Sequence, residues 1–313
     1  MTIIWQISNV HFKGKSLITG TLLRDSPYMH LKAINSFKNV FKLLQTYFIS
    51  PYALKDIRLK IDNEYFSTST NKKGSFSIVV NKANVTDIKL FSKSSEIELP
   101  SIQTYPRTFP MTSSKYDVIS DIDDTIMVSY TADFFKRIST LAFVSPLNRK
   151  VIGFTQALLK HFESQNARVF YVSKSERNLF NHISVFISTY NLPKGVLNLT
   201  PYLKLHQLLD PKKGKDYKTN HIRFIIENSP DKKFVLIGDD SQRDMDVYTS
   251  IAKQFKPYIV KIYIRQTKRK SFFKNEDKWN KLLATGVPSL YFNEEDDLTE
   301  EIKSFSNLIS NLI

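Results

Sequence analysis

The sequence predicts two folded parts, a smaller β-rich domain at the N-terminus and an α/β domain with a parallel sheet and helices on both faces. Residues 1–98 alternate apolar and polar side chains, which is the period of half-buried antiparallel strands. Residues 99–115 hold three prolines among serines and threonines, and this composition favours an extended linker. From residue 116 to residue 313, short β-branched runs alternate with helical stretches, a pattern typical of a parallel sheet. We therefore expect a division into residues 1–98, 99–115 and 116–313.

The N-terminal part carries two kinds of hydrophobic pattern. The alternating segments DIRLKIDNEYFSTST and KGSFSIVVNK, joined by the turn Asn71–Gly74, indicate a small antiparallel β unit. Upstream, apolar residues recur at helical spacing from Leu31 to Phe48, with lysines between them. This stripe predicts a helix packed over the β unit, and a basic amphipathic helix that touches lipid is the alternative.

The second part contains five apolar runs that we predict to be strands. They are YDVIS, ARVFYVS, FVLIGD, IVKIYIR and SLYF, and helical stretches follow the first three and the last, where the helix ends at Ile313. The acidic cluster Glu294–Asp297 predicts the charged N-terminus of a last helix. Ligands of such folds bind at the carboxyl ends of the strands, so we expect the chemistry there.

The composition excludes several classes of chemistry and favours an anionic partner. Lys and Arg number 45 against 30 Asp and Glu, and the net charge of +15 favours nucleic acid, a membrane surface or phosphorylated substrates. The absence of cysteine excludes disulfides, iron–sulfur clusters and thiol catalysis. No apolar run approaches the roughly 20 residues that span a bilayer, and no signal-peptide pattern is present. We expect a cytoplasmic protein without a transmembrane segment, which meets a membrane only at its surface.

Three carboxylates follow the first strand of the α/β part within four residues, in the motif DIDDT. Such groups repel one another unless a cation or a proton holds them together. In an extended strand, Asp121 and Asp123 point the same way, so both can face one Mg²⁺. One carboxylate can then attack phosphorus while its partner handles protons, and Mg²⁺ offsets the phosphate charge.

Further polar residues lie at the expected strand ends and helix starts. Ser173 ends the second strand, and its hydroxyl could hold a phosphate oxygen, although taken alone it is better interpreted as a helix cap. Lys218 opens a helix and could supply a fixed positive charge, although alone it reads as a solvated lysine. Asp239, Asp240 and Asp244 follow the third strand and form a second acidic cluster for the metal.

The order of these motifs resembles a known family. D-x-D-x-T, a strand-terminal Ser, a Lys and G-D-D-x-x-x-D resemble the haloacid-dehalogenase phosphatases. Residues 116–293 are more specifically similar to the actin-patch-protein type of phosphatidate phosphatase. The segments that carry the similarity are SDIDDTI, FYVSKSERNLF, LPKGVLNL, KFVLIGDDSQRDMDVY and KIYIR. The resemblance implies a haloacid-dehalogenase-like sheet, preceded by a β-sandwich-like accessory domain.

The resemblance also implies roles for particular residues. Asp121 would be the nucleophile and a Mg²⁺ ligand, and Asp123 would be the general acid/base and give its carbonyl to Mg²⁺. Thr125 would shape the loop around the phosphoryl group, which Ser173 and Lys218 would bind.

The second acidic cluster and two departures complete the expected site. Asp239 would complete the metal site, with Asp240 and Asp244 supporting the metal and Lys218. Glu176 and Arg177 replace an apolar pair of the family near the expected mouth, which bears on substrate preference.

Three basic features have both a functional interpretation and an interpretation as ordinary surface residues. Asn148 and Arg149 could meet a phosphate or form a surface salt link. The run Lys268–Lys270 is a solvated loop or a contact with anionic lipid. We expect Arg265 to pair with a nearby carboxylate.

The leading hypothesis is a Mg²⁺-dependent phosphatase that acts on phosphatidate. Only about 50 residues separate Asp121 from Ser173, which leaves little room for a cap and favours an open site. One alternative is a phosphatidate-binding module without catalysis. Another is a phosphatase acting on nucleic-acid ends, which we favour less because no nucleic-acid-binding motif accompanies the charge.

Overall fold

The computed structural model describes residues 4–24, 46–97, 105–129, 150–201, 216–241, 243–268 and 271–312. Two units separate by their internal contacts. The first comprises Met1–Met111, Ser175–Val185 and Leu199–Lys213, and the second comprises Thr112–Lys174, Phe186–Asn198 and Gly214–Ile313. The division into 1–98, 99–115 and 116–313 stays a prediction. Most of the predicted helix Leu31–Phe48, Asn148, Arg149 and part of Lys268–Lys270 lie outside the described residues.

The first unit is built on two four-stranded sheets, as the alternating sequence predicts. Its strands are β1 (Ile4–Phe12), β2 (Lys15–Leu23), β3 (Asp56–Ile61), β4 (Glu64–Ser69), β5 (Ser75–Val80), β6 (Ile88–Ser92), β7 (Ser95–Ile97) and β8 (Thr108–Phe109). One sheet has the order β5-β2-β1-β8 and the other has the order β4-β3-β6-β7. Strand β8, inside the segment predicted to be a linker, pairs in parallel with β1.

Alternation along these strands produces a core that both sheets share. In β3, Ile57, Leu59 and Ile61 are buried, whereas Asp56 and Arg58 are exposed. Apolar side chains of β1, β2 and β5 form one cluster with those of β3, β6 and β7. The predicted turn Asn71–Gly74 therefore joins β4 of one sheet to β5 of the other.

The second unit is built around a six-stranded sheet with helices, which confirms the predicted α/β class. The strands are β9 (Tyr116–Ser120), β10 (Val169–Glu176), β11 (Val196–Thr200), β12 (Lys233–Asp239), β13 (Ile259–Arg265) and β14 (Ser289–Phe292). The helices are α1 (Gly153–Ser164), α2 (Phe180–Thr189), α3 (Tyr217–Glu227), α4 (Asp244–Phe255), α5 (Ser271–Leu283) and α6 (Leu298–Leu312), of which α2 begins in the first unit and ends in the second. Helix α1 packs on α6, and α4 packs on both α3 and α5. Strand β11 and helix α5 were not predicted.

The order of the strands in the six-stranded sheet determines where a ligand site is expected. The sheet runs β11-β10-β9-β12-β13-β14, and the pairings from β10 to β14 are parallel. The chain moves from β9 to one side of the sheet and later returns to β12 on the other side of β9. The carboxyl ends of β9 and β12 are therefore neighbours at a topological switch point, where open sheets bind ligands.

Buried charges in the sheet are paired away from that edge. At the start of β9, Asp117 accepts hydrogen bonds from the Arg168 backbone N–H at 3.0 Å and from its guanidinium at 3.1 Å. In β13, Lys261 donates to Glu301 of α6 at 2.7 Å, and Tyr263 donates to the same carboxylate. The long apolar runs can therefore carry charged residues, because each buried charge has a partner.

Two surface expectations are tested directly. The side chain of Asp297 accepts hydrogen bonds from the N–H groups of Thr299 and Glu300, so the acidic cluster does begin α6. None of the helices in the described part of the chain has the length and apolarity needed to cross a bilayer.

Candidate functional site

Three buried carboxylates meet at the carboxyl ends of β9 and β12. Asp121 follows β9, Asp239 is the last residue of β12, and Asp244 is the first residue of α4. One oxygen of each lies within 4.8 Å of the others. The Asp121 N–H donates to the Ile237 carbonyl at 2.9 Å, which fixes the neighbouring strand ends. We call Asp121, Asp239 and Asp244 the acidic triad.

Lys218 joins two members of the acidic triad. Its Nζ lies 3.2 Å from Asp121 Oδ1 and 2.5 Å from Asp244 Oδ1, and its side chain is only 3% exposed. Burial acts to lower the pKa of Lys218, but the charges of Asp121 and Asp244 outweigh it, so the pKa lies above its usual value. The interpretation of Lys218 as a solvated lysine is therefore wrong.

The positive charge of Lys218 is too small to balance the three carboxylates of the triad. Burial raises the pKa of Asp121 to about 8, while Lys218 opposes this rise and Asp244 adds to it. Burial, together with the charges of Asp244 and Asp121, also raises the pKa of Asp239 well above its usual value. One lysine does not balance three buried carboxylates, so the arrangement favours either bound protons or a further cation.

The donor set of the triad fits a hard divalent cation. Carboxylate oxygens are the ligands that Mg²⁺ takes from proteins, usually one or two together with water and substrate phosphate. Asp121 and Asp239 each keep an oxygen that Lys218 does not contact, since Lys218 contacts Asp121 through Oδ1. The acidic triad could therefore bind a metal ion, and its geometry does not select the kind of metal.

Asp123 lies beside the triad rather than in it. Its Oδ2 accepts a hydrogen bond from Ser173 Oγ at 3.1 Å, and both side chains are buried. Strand β9 ends at Ser120, so the extended strand does not continue over Asp121 and Asp123, and their joint role at the metal stays a prediction. Ser173 lies within β10, which continues to Glu176, and its hydroxyl serves Asp123 instead of capping a helix.

The loop after β9 is held by contacts that the sequence did not reveal. Asp124 adopts a positive φ of 56°, and its carboxylate accepts from the Ser129 N–H at 2.9 Å. The Asp124 carbonyl accepts from Arg265 Nη1 at 2.8 Å, while Arg265 Nη2 pairs with Glu294 at 3.0 Å. The predicted pairing of Arg265 with a carboxylate is therefore confirmed, and the same side chain positions the loop.

Thr125 and Asp240 contact different parts of the site. Thr125 is fully buried and donates through Oγ1 to Asp239 Oδ2 at 3.5 Å. The carboxylate of Asp240 accepts from the Thr267 N–H at 3.0 Å, from its hydroxyl and from the Tyr291 hydroxyl. The structure therefore does not bring Asp240 into the acidic triad, although the sequence predicted a metal ligand there.

Lys174 is a cation near the triad that the sequence did not single out. Burial lowers its pKa, while the charges of Asp244 and Asp121 act in the opposite direction. It follows Ser173 directly in β10. Lysines are so frequent in this chain that only the fold could distinguish this one.

Glu176 and Arg177, the departures from the family pattern, make contacts within the first unit. Glu176 is buried and accepts from the Tyr47 hydroxyl at 3.0 Å. Arg177 Nη1 donates to Thr21 Oγ1 at 3.2 Å. Their effect on substrate preference stays a prediction.

Solved structures resemble the chain only weakly. A class C acid phosphatase from Bacillus anthracis with tungstate bound has a TM-score of 0.30 and 15% identity, over 57% of this chain and 82% of that one. A chain of the Pnkp1/Rnl/Hen1 complex has a TM-score of 0.33 and 15% identity, over 66% and 55%. Both TM-scores are low, so these likenesses carry no argument.

Two proteins with related sequences give a more specific comparison than the solved structures do. "Phosphatidate phosphatase APP1" of Saccharomyces cerevisiae is 30% identical over 169 residues, which cover 53% of this chain and 28% of the relative. An uncharacterised protein of Schizosaccharomyces pombe is 26% identical over 212 residues, which cover 64% of this chain and 34% of the relative. The chain thus spans about a third of the length of these curated relatives.

The family match falls on the segment that holds the acidic triad. Residues 116–266 match the family described as "Phosphatidate phosphatase APP1, catalytic domain". This range begins with β9, ends just after β13 and contains Asp121, Lys218 and Asp244. Through this segment, which is just under half of the chain, the protein is similar to the APP1-type phosphatidate phosphatases.

Proposed function

We propose that this chain is a Mg²⁺-dependent phosphatase of the haloacid-dehalogenase type, which hydrolyses a phosphomonoester and favours phosphatidate. The observation that carries the proposal is the buried acidic triad with Lys218 between Asp121 and Asp244. Similarity of residues 116–266 to a phosphatidate phosphatase catalytic domain supports the substrate class.

Asp121 and Asp239 would hold the ion, with the Asp123 carbonyl as a further ligand. Asp244 orients Lys218 and accepts from the Asp239 N–H at 3.4 Å, so it supports both. When bound, Mg²⁺ supplies positive charge that offsets the phosphate oxygens and the buried carboxylates. Asp240 holds Thr267 and Tyr291 and would act only by positioning the loops.

The reaction would pass through two displacements at phosphorus. An oxygen of Asp121 attacks, the bond from phosphorus to the leaving oxygen breaks, and Asp123 gives that oxygen a proton. Asp123 then removes a proton from water, whose oxygen attacks the aspartyl-phosphate, releasing phosphate and restoring Asp121. Ser173 donates to Asp123 and so holds its carboxyl in place between the two steps.

The phosphoryl group would be bound by donors around the triad. Ser173, Lys218 and the loop shaped by Thr125 are the predicted contacts, and Lys174 is a further cation within electrostatic reach. Lys218 is charged and buried, so it provides fixed positive charge without reorganisation during the reaction.

The lipid substrate implies work at a membrane surface. The net charge of +15 favours attraction to an anionic bilayer, and we propose a cytoplasmic, peripheral location. A phosphatase for nucleic-acid ends would also use positive charge, so the test must include both phosphatidate and phosphorylated nucleic-acid ends.

The test is phosphate release with Mg²⁺ and with chelator. The substrates are phosphatidate vesicles, soluble phosphomonoesters and phosphorylated oligonucleotide ends. Asp121→Asn should lower turnover by about 10³-fold or more, because the amide is not a nucleophile. Asp246→Asn is the matched control, since Asp246 lies on α4 beside Asp244 but points to solvent and pairs with Lys278.

The outcomes separate the alternatives. Release from phosphatidate that needs Mg²⁺ and Asp121 supports the proposal. Phosphatidate binding without phosphate release would identify a non-catalytic module, and selective release from oligonucleotide ends would replace the lipid substrate. Full activity of Asp121→Asn would reject the mechanism.

A further inference from the structure

One end of the sheet β4-β3-β6-β7 gathers several loops of the first unit. Strand β3 begins at this end and β4 terminates there, as the pair Asp56–Ser69 shows. The β6–β7 turn lies at the same end, because Arg58 pairs with Phe91 close to it. We call Leu54–Arg58, Ser67–Gly74 and Phe91–Ser94 together the loop end of this sheet.

A groove of about 780 Å³ opens at the loop end. Its polar lining includes Asp56, Arg58, Ser67, Ser69, Lys93 and Ser94. The Arg58 guanidinium is held in place, since Nη2 donates to the Lys93 carbonyl at 2.8 Å and its carbon lies 5.7 Å from the centre of the Tyr65 ring. Hydroxyl donors around a fixed guanidinium are chemistry that binds phosphate-ester oxygens.

Beside the groove, Leu54 is presented to solvent on a rigid frame. Its residue is 66% exposed, and its backbone has a φ of 54°. The Leu54 N–H donates to the Asn71 carbonyl, and the Lys55 N–H donates to Thr70 Oγ1 at 3.0 Å. Phe48, six residues earlier, is 70% exposed. The hydrogen bonds therefore fix a conformation that leaves a large apolar side chain outside the core.

That conformation is unusual for leucine. The left-handed region is tolerated by Asn and Asp but is unfavourable for longer side chains. Among the described residues other than glycine with positive φ, five are Asn or Asp, and the two exceptions are Leu54 and Lys93. Both exceptions lie at the loop end, and strain of this kind concentrates at functional sites.

The charge of the loop end is strongly positive. Its basic residues are Lys55, Arg58, Lys72, Lys73 and Lys93, against the single acid Asp56. At the opposite end of the same sheet, Asp62 and Glu64 pair with Lys82. Positive charge and the exposed side chain of Leu54 therefore share one end of the sheet.

We propose that the loop end docks on an anionic phospholipid surface. Leu54 enters the interfacial layer, the lysines face lipid headgroups, and the groove around Arg58 takes one phosphodiester headgroup. A membrane fits better than nucleic acid, because a rigidly exposed leucine gains free energy when it enters the lipid interface. This contact lies outside the residues proposed for catalysis; it rests on the peripheral location proposed above and names the surface that makes the contact.

The test is sedimentation of the full chain with vesicles of phosphatidylcholine, with and without phosphatidylserine. Phosphatidylserine is a phosphodiester, so binding does not depend on hydrolysis. Loss of one cation in Arg58→Gln or Lys93→Gln should weaken binding to anionic vesicles about fivefold. Leu54→Ser should weaken it by a similar, about fivefold factor. Leu283→Ser and Lys303→Gln, both at exposed positions of the second unit, are the matched controls.

Further arms distinguish the ligand sources. Asp121→Asn should bind phosphatidylserine vesicles like the unaltered chain, so failure of catalysis and failure of docking give different results. Thermal denaturation checks that each variant is folded. Equal binding by Leu54→Ser, Arg58→Gln and the unaltered chain would overturn the proposal. So would displacement by inorganic phosphate at the concentration of lipid phosphate, or binding to an oligonucleotide in preference to vesicles.

Discussion

At the scale of single residues, the packing around the site leaves no room for a side chain at Gly238. Gly238 lies within β12, and a Cβ there would clash with the Asp244 carboxylate and would lie 2.8 Å from the Tyr248 ring. Tyr248 in turn donates to the Ile237 carbonyl at 2.8 Å, so neither neighbour can move without disturbing the strand. The glycine of the GDD motif therefore allows helix α4 to bring Asp244 to the triad.

Gly238→Ala should displace Asp244 and lower both stability and phosphatase activity. Overpacking of this kind costs about 1–3 kcal/mol. Gly153→Ala is the matched control, because no atom lies within 4 Å of the position of its Cβ and it begins helix α1. The measurements are thermal denaturation and Mg²⁺-dependent phosphate release. Equal effects of the two substitutions would contradict the packing argument.

At the scale of elements, strand β9 carries different chemistry at its two ends. Asp117 near its beginning pairs with Arg168, and both side chains are nearly inaccessible to solvent. Asp121, just beyond its end, joins the acidic triad. The first pair stabilises the sheet, and the second group faces the ligand edge.

Asp117→Ala should destabilise the second unit by about 3–5 kcal/mol, because Arg168 would remain buried without its partner. Asp246→Ala removes an exposed ion pair with Lys278 and should change stability by less than about 1 kcal/mol. Urea denaturation followed by circular dichroism measures both. A small effect of Asp117→Ala, similar to that of Asp246→Ala, would show that Arg168 finds another partner.

At the scale of the whole molecule, the acidic triad links stability to pH and to metal. The pKa of Asp121 is raised to about 8 in the folded protein, mainly by burial, whereas an unfolded chain has an Asp pKa of about 3.9. Between these values the folded state retains a proton that the unfolded state has lost. Without a cation, stability therefore falls as the pH rises from about 4 to about 8.

Mg²⁺ should raise the midpoint of thermal unfolding more at about pH 8 than at about pH 5. At the higher pH fewer protons occupy the carboxylates of the triad, so fewer protons compete with the ion. Thermal denaturation with Mg²⁺ or chelator at each pH measures this difference. Asp121→Asn should reduce it, since the amide carries no charge. An equal effect of Mg²⁺ at the two pH values would show that the triad does not bind the ion as a set of carboxylates.

Sequence patterns predicted five of the six strands of the α/β part and much of its site. Asp121, Lys218, Asp239 and Asp244 do converge, because parallel strands place their carboxyl ends at one edge and each motif followed a strand or opened a helix. The period-two argument for Asp123 assumed an extended strand beyond Ser120, where β9 ends, so a shared role of Asp121 and Asp123 stays a prediction. The residue roles themselves stay predictions.

The amino-acid sequence by itself determined the two classes of fold, the family resemblance and the acidic motifs, since these depend on residues near one another in the chain. Only the tertiary structure decided that Asp240 faces Thr267 and Tyr291, that Arg265 holds the loop after β9, and that Leu54 lies beside a basic groove. Each of these depends on contacts between residues far apart in sequence. Their hydrogen bonds and burial form only when the sheets bring those segments together.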